Sequence, residues 1–361
     1  MQKLKICVYA ISKNEEKFVN RWYESMKDAD EIYVLDTGST DNTISLLKEK
    51  GVHVATKIIK PWRFDVARNQ SLALVPEDAD ICICTDLDEE FVPGWREILE
   101  KNWNPTTTRI FYTYNWKLDT KNRPIISFFA NKIHGRKDYC WTHPVHEVLS
   151  YLGTQEITQT LEKLTINHYP DATKSRSSYL PLLELSVKED PLDDRNMHYL
   201  GREYMYYGYY KKAIKTLKKH LKLEKATWKD ERCASMRFIA RCYLNEKKYK
   251  EANSWADKAI LEAPYLRDPF MEKAMIAYQE NNWENVIINC LKALTIKKNP
   301  KSYINESFCT NEAIYDVLSI AFYNQGLYEF SYASIKEALT ISPHNDRLLQ
   351  NFKYIEEKRK P

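Results

Sequence analysis

A spaced pattern of small and aromatic residues repeats through the carboxy-terminal half of the chain and constrains its fold more than any other feature. One copy runs through Met197, Leu200, Gly201, Tyr204, Gly208, Tyr210, Ala213 and Leu217. A second uses Met236, Ile239, Ala240, Tyr243, Tyr249, Ala252, Ala256, Ala259 and Pro264, and another uses Tyr315, Leu318, Ser319, Phe322, Gly326, Tyr328, Ser331, Ile335, Ala338 and Pro343. A degenerate copy lies between them at Phe270, Ala274, Ala277, Trp283, Val286 and Ala293. The equivalent positions 213, 252, 286 and 331 are 39, 34 and 45 residues apart. Against a unit of 34, about 5 and 11 extra residues fall near 224–232 and 299–311. An antiparallel helix pair buries its apolar stripe only against the next pair, so small residues such as Gly201 and Ala213 belong where two backbones cross. A stack of about four helix pairs is expected, a plain helical bundle being the alternative.

Residues 194–350 thus resemble tetratricopeptide repeats, a family that usually binds polypeptide. The preceding residues differ in composition, because almost all Asp/Gly/Ser/Thr turn clusters lie before about residue 175. The chain of 361 residues is long enough for two domains, and we place them at 1–175 and 176–361. Charged residues are 29% and apolar ones 43%, a folded composition. The net charge of +4 comes from 54 basic and 50 acidic residues intermixed, with no basic block to follow a phosphate backbone, so nucleic acid is not an expected partner. The stretch before Lys13 is too short for a signal peptide and no apolar run reaches about 18 residues, so a cytoplasmic location is expected. The eight cysteines form no CxxC pair and read as free, mostly core thiols.

In residues 1–90, short apolar runs at 5–10, 31–35, 52–55 and 80–84 alternate with helical patterns, as in an α/β unit with a parallel sheet. Polar clusters follow these runs: Ser12-Lys13-Asn14-Glu15-Glu16, then Asp36-Thr37-Gly38-Ser39-Thr40-Asp41, then Arg63-Phe64-Asp65-Val66-Ala67-Arg68-Asn69, then Asp86-Leu87-Asp88-Glu89-Glu90. In an open parallel sheet such loops meet at one crevice, where ligands bind. Taken alone, Asn14 and Glu15 read as the cap and acidic first turn of a helix over 16–26. The tight turn at Gly38 and its neighbouring donors and acceptors suit a nucleotide's base and ribose, although helix capping also accounts for 40–43. The strongest element is the apolar strand running into Asp86-Leu87-Asp88. Carboxylates at i and i+2 reach one hard cation, and Mg²⁺ or Mn²⁺ takes the rest of its shell from water and substrate phosphates. An acidic helix start before Pro93 is the competing reading.

This ordered set resembles the nucleotide-sugar-dependent family-2 glycosyltransferases of GT-A fold. It is most similar to the bacterial branch that joins such a domain to tetratricopeptide repeats, including the sublancin-type bacteriocin S-glycosyltransferases. The resemblance implies an α/β GT-A domain, Rossmann-like with a mostly parallel sheet, followed by an all-α repeat domain. It also implies a UDP-sugar donor, a Mn²⁺ or Mg²⁺ cofactor and single-sugar transfer to a peptide or protein side chain, with inversion. Ser12, Asn14, Glu15, Asp36 and Ser39 would hold the donor, with Asp36 at the base. Arg68 and Asn69 would lie beside the nucleotide, Asp86 would face the sugar or ribose, and Asp88 would hold the metal on the diphosphate. The family's His-Glu segment and later His correspond here to His146-Glu147 and His168. They imply Glu147 as acceptor base and His168 as a second metal or phosphate ligand.

Two departures qualify the resemblance. There is no Gln-x-x-Arg-Trp segment, which argues against a processive synthase. The domain is also short, so its acceptor side is expected to be completed by the repeats or a second subunit. Alternatives are a sugar transferase acting on a cell-surface glycan precursor and a non-catalytic repeat scaffold. A nucleotidyltransferase is disfavoured because Ala10-Ile11-Ser12-Lys13-Asn14 lacks the glycines of a phosphate loop. In the repeats, Asn196, Arg202, Glu203, Arg237, Arg241 and nearby tyrosines are expected to line a concave face suited to an extended peptide.

Overall fold

The computed structural model describes residues 3–119, 121–171, 179–297, 302 and 304–359. The chain forms two compact units, Met1–Ser186 and Val187–Pro361. The boundary expected after residue 175 lies outside the described residues.

The amino-terminal unit opens with β1 (Ile6–Ser12), α1 (Glu16–Met26), β2 (Glu31–Asp36), α2 (Thr43–Glu49), β3 (His53–Thr56), α3 (Phe64–Leu72) and β4 (Ile81–Thr85). All four expected strands are present, and α1 spans the expected 16–26. Then come β5 (Glu89–Phe91), α4 (Trp95–Asn102), β6 (Arg109–Leu118), β7 (Pro124–Gly135), β8 (Tyr139–Thr142), β9 (Val148–Tyr151), β10 (Thr158–His168) and α5 (Tyr179–Glu189). Eight strands make one sheet in the order β3-β2-β1-β4-β7-β6-β10-β5, and β8 and β9 form a separate hairpin. The pairings β3·β2, β2·β1, β1·β4 and β6·β10 are parallel, while β7 and β5 run against their neighbours. The competing reading of an acidic helix start before Pro93 does not hold: Glu89 and Glu90 lie on β5, paired to His168 and Asn167 respectively, and α4 begins only at Trp95.

Alternation explains why β1 and β4 are apolar throughout. Ile6, Val8, Ala10, Ile81 and Ile83 face one core layer with Val19 and Trp22 of α1, while Cys7, Tyr9, Cys82 and Cys84 face a second with Leu72 and Trp141. The cysteines are free, and all but the partly exposed Cys140 are buried, as expected.

The second layer contains a buried hydrogen-bonded chain. Trp141 Nε1 donates to Tyr9 Oη at 2.9 Å, Tyr9 Oη lies 2.9 Å from His134 Nε2, and His134 Nδ1 lies 2.7 Å from the Gly135 carbonyl. A neutral Nδ1–H imidazole satisfies every atom in it. Burial pushes His134 from its ordinary 6.5 down to about 3. The unfolded chain takes up this proton below pH 6.5 while the native chain refuses it until about pH 3, so stability is lost as pH falls through that window. Urea unfolding is expected to show a component of up to about 1.4 kcal/mol per pH unit there, absent from His134→Gln. An unchanged pH slope in that variant would refute the assignment.

The second unit stacks α6 (Asp194–Tyr206), α7 (Tyr210–His220), α8 (Lys229–Asn245), α9 (Tyr249–Glu262), α10 (Asp268–Gln279), α11 (Trp283–Thr295), α12 (Ala313–Asn324), α13 (Tyr328–Ile341) and α14 (Asp346–Arg359). Successive helices pair as the repeat pattern predicts, with Ala213, Ala252, Ala256, Ala259, Ala293 and Ala338 fully buried. A Cβ added at Gly201 would stand 2.5 Å from Leu217 Cγ and 3.3 Å from its backbone nitrogen. Gly201→Ala is therefore expected to cost about 1–2 kcal/mol, crowding outweighing the gain in helix propensity. Unfolding of this variant at or above wild-type denaturant would contradict the close crossing.

The expected concave lining is corrected. Asn196, Glu203 and Arg237 are buried, and the two arginines are engaged by acids of the unit itself. Arg237 pairs with Glu306 and lies 3.7 Å from Asp268, while Arg241 pairs with Glu272 and bonds both Glu306 oxygens. Burial opposes the charge on Glu306, but Arg237 and Arg241 outweigh it and hold the carboxyl at about 2. Arg202 instead stacks on Tyr199 and Tyr206, and Tyr206, Tyr207 and Tyr209 are exposed.

Candidate active site

The parallel register sets Ser12 beside Asp36 at the ends of β1 and β2. Asp36 is fully buried, and its oxygens accept from Ser12 Oγ (2.8 Å), Gly38 N (2.9 Å), Ser39 N (2.8 Å) and Ser39 Oγ (2.5 Å). These bonds define the 36–39 turn, where Gly38 has φ +110°, a backbone conformation that favours glycine. Asn14 does not cap α1. Its backbone, at φ 55°, aims it at the β2 loop, where its N–H donates to Ser39 Oγ at 2.8 Å and its Oδ1 accepts from Thr40 N at 2.8 Å. Glu15 is buried and its N–H donates to Thr43 Oγ1. The first two polar loops are thus cross-linked into one platform.

Past β4, four carboxylates converge. Arg68 of α3, almost fully buried, donates from Nε to Glu147 Oε1 at 2.9 Å, from Nη2 to Asp86 Oδ1 at 2.7 Å and from Nη1 to Cys84 Sγ at 3.3 Å. Its guanidinium also lies over the Trp141 ring at 5.4 Å. Glu147 arrives from the β8–β9 hairpin, whose turn holds both His143 and His146 at positive φ. Lys132 of β7 bridges Asp86 Oδ2 and Glu89 Oε1 at 3.1 Å each, and Tyr114 donates to Glu89 at 2.8 Å. Burial opposes ionisation of Asp86, but Arg68 and Lys132 outweigh it and hold its carboxyl well below the usual range. Burial raises Glu89, with the charges of Asp86 and Asp88 adding to it.

His168, at the end of β10, stacks on Trp116 with ring centroids 4.5 Å apart, and its Nδ1 is 3.1 Å from the Trp116 carbonyl. Nδ1 is therefore the donor, and the Nε2 lone pair faces Asp88 Oδ2 at 3.5 Å. Two acceptors converging across that gap are a fitting donor pair for a cation. Asp86, Asp88, Glu89, Glu90 and Glu147 also outnumber the cations Arg68, Lys132 and Arg21 beside them, so a divalent ion would relieve excess negative charge. Burial lowers His168, but the Asp88 carboxylate facing Nε2 outweighs it and raises it above its ordinary value, a proton on Nε2 then filling the place that a cation would take. The residues present thus fit a divalent ion.

Among the residues expected at the nucleotide, Asn69 stands apart. Its Nδ2 donates to the Trp141 carbonyl at 2.7 Å and its Oδ1 accepts from Trp141 N at 2.8 Å, so both amide ends anchor β8. Sequence reasoning did not single out Lys132, Tyr114 or Trp116. Their places follow from the pairing of β4 with β7 and of β6 with β7 and β10, for which no local motif exists.

Residues 7–150 match the family Glycosyl transferase family 2, so the first unit carries a family-2 glycosyltransferase domain. An uncharacterized glycosyltransferase of Rickettsia bellii is 29% identical over 150 residues, covering 36% of this chain and 50% of that protein. The lipopolysaccharide core biosynthesis glycosyltransferase LpsC of Rhizobium meliloti is 31% identical over 100 residues, 27% of this chain and 36% of that one. A TPR repeat-containing protein of Synechococcus elongatus is 28% identical over 162 residues, 43% of this chain and 38% of its own. The chain thus spans half or less of these relatives' lengths. TTC0263, a thermophilic TPR protein in Thermus thermophilus, is similar in structure at TM-score 0.38 and 15% identity, covering 50% of this chain and 90% of that one. Among the described residues, no helix is long and apolar enough to cross a membrane.

Proposed function

We propose that the protein transfers one sugar from a UDP-sugar to a peptide or protein side chain, with inversion and with a divalent cation, Mn²⁺ or Mg²⁺. The observation that carries this reading is the meeting of Asp86, Asp88, Arg68 and Glu147, all within the family-2 match at 7–150, with His168 of the adjoining β10. Asn14 and Ser39 form the base and ribose side, while Ser12, Glu15 and Asp36, buried beneath them, hold that platform in shape rather than touching the base as the resemblance implied. Arg68 and Lys132 orient Asp86 toward the sugar, and Asn69 positions the hairpin that carries Glu147. Asp88 and His168 hold the ion, which when bound offsets charge on the departing diphosphate. The acceptor's nucleophilic atom bonds to the anomeric carbon as the carbon–oxygen bond to the diphosphate breaks, through an oxocarbenium-like state. Glu147 takes the acceptor proton, and the products are the glycosylated acceptor and UDP.

Exposed Tyr206, Tyr207 and Tyr209 on the repeats support a polypeptide acceptor. The name of the Rhizobium meliloti relative supports a second reading, a lipopolysaccharide-type glycan acceptor. Offering peptide and glycan acceptors with the same donor separates the two.

Thermal shift with UDP, GDP and CMP, each with and without Mn²⁺, tests the donor. UDP with Mn²⁺ is expected to give the largest stabilisation, and no nucleotide response at all would refute the reading. Glu147→Gln is expected to keep Mn²⁺-dependent UDP binding but lose transfer, whereas His168→Ala weakens that binding. Equal loss of UDP affinity in both would show the two roles to be wrongly divided.

A further inference from the structure

We infer that the helical unit holds a second, structural metal site for a Zn²⁺-class ion at Asp194, His220 and Glu231. One ligand atom from each lies within 4.8 Å of the others, the only such trio of His, Cys, Asp or Glu among the described residues. The three come from different helices: Asp194 opens α6, His220 closes α7, and Glu231 lies in the first turn of α8. His220 Nε2 and Glu231 Oε1 are 3.2 Å apart. That matches the edge of about 3.3 Å between two ligands on a tetrahedral zinc with bonds of about 2.0–2.1 Å.

The surroundings orient the histidine as metal sites do. Nδ1 of His220 lies 2.9 Å from Ser235 Oγ, which lies 2.7 Å from His198 Nδ1. A ring whose Nδ1 is fixed by a hydrogen-bond partner presents Nε2 in a set direction. His220 and Glu231 are buried, while Asp194 is partly exposed and supplies the side from which an ion enters. One imidazole with two carboxylates suits a borderline divalent ion better than Mg²⁺ or Ca²⁺, and water completes four-coordination. The ion would tie the first helix pair of the stack to the helix that begins the second.

Co²⁺ alone, added to chelator-treated full-length protein, is the probe. The wild type is expected to develop the intense visible absorption of four-coordinate Co²⁺, saturating at one equivalent, and Asp88→Asn to retain it. Asp194→Ala is expected to abolish the band, as is His220→Gln, and Ser235→Ala to weaken Co²⁺ affinity by about 10- to 100-fold. Because His220 is buried and its replacement can disturb folding, the partly exposed Asp194 decides the matter. Absence of the band in the wild type, or an undiminished band in Asp194→Ala, overturns the proposal. Loss of the band in Asp88→Asn with retention in Asp194→Ala would likewise overturn it, by placing the ion at the active site.

Discussion

Asp88→Asn is expected to lower kcat about a hundredfold or more, a barrier rise of about 3 kcal/mol, with folding preserved. The substitution keeps the side chain's shape and removes its charge. The bond that joins this loop to the end of β10 does not use that charge: the backbone carbonyl of Asp88, not its carboxylate, receives the Tyr169 N–H at 2.8 Å. An Asn amide can also still donate to His168 Nε2, which faces position 88. What is lost is one anionic oxygen ligand at the place where the diphosphate's growing charge has to be met. The measurement is kcat at saturating donor and excess Mn²⁺, alongside the melting temperature. Near-wild-type turnover by a folded variant would remove Asp88 from the proposed metal site.

The parts of this molecule legible in its sequence are those with local periodicity. The strand ends at Ser12, Asp36 and Thr85 lie where apolar runs give way to polar clusters, and the parallel register places Ser12 beside Asp36. The helix pairs were legible for the same reason, since a small residue at a crossing recurs with the unit. Long-range pairing hides the rest. Lys132 sits in an undistinguished stretch of β7, yet antiparallel pairing to β4 carries it to Asp86 and Glu89. Asn69 belongs to a motif that points at a nucleotide, but its amide is occupied by the backbone of a strand 72 residues away. In the repeats, periodicity led to an expected open face carrying Arg237 and Arg241, which the structure instead closes with acids of the unit itself. Periodicity did not reveal that Glu306, from the long connection before α12, folds back onto both.

Arg68→Met is expected to be the most destabilising single change in the first unit, at about 3–5 kcal/mol. Methionine keeps an unbranched apolar stem but stops short of the guanidinium and supplies none of its donors. Arg68 is 4% exposed, and one guanidinium serves Asp86, Glu147 and the Cys84 sulfur at once. Its removal leaves Lys132 to balance Asp86 and Glu89, and it takes from Glu147 the bond that fixes the hairpin end beside the site. Arg68→Lys is not a conservative rescue, because one ammonium cannot span two carboxylates in the fixed fork geometry of arginine. It is expected to recover less than half of the loss. A double-mutant cycle isolates the main pair: Asp86→Asn combined with Arg68→Met should cost less than the two single losses added, by about 1–3 kcal/mol. Urea unfolding supplies all four free energies. Additive losses, or a cost below about 1 kcal/mol for Arg68→Met, would mean that water reaches the site freely enough to solvate these carboxylates and that Arg68 is not what holds them in place.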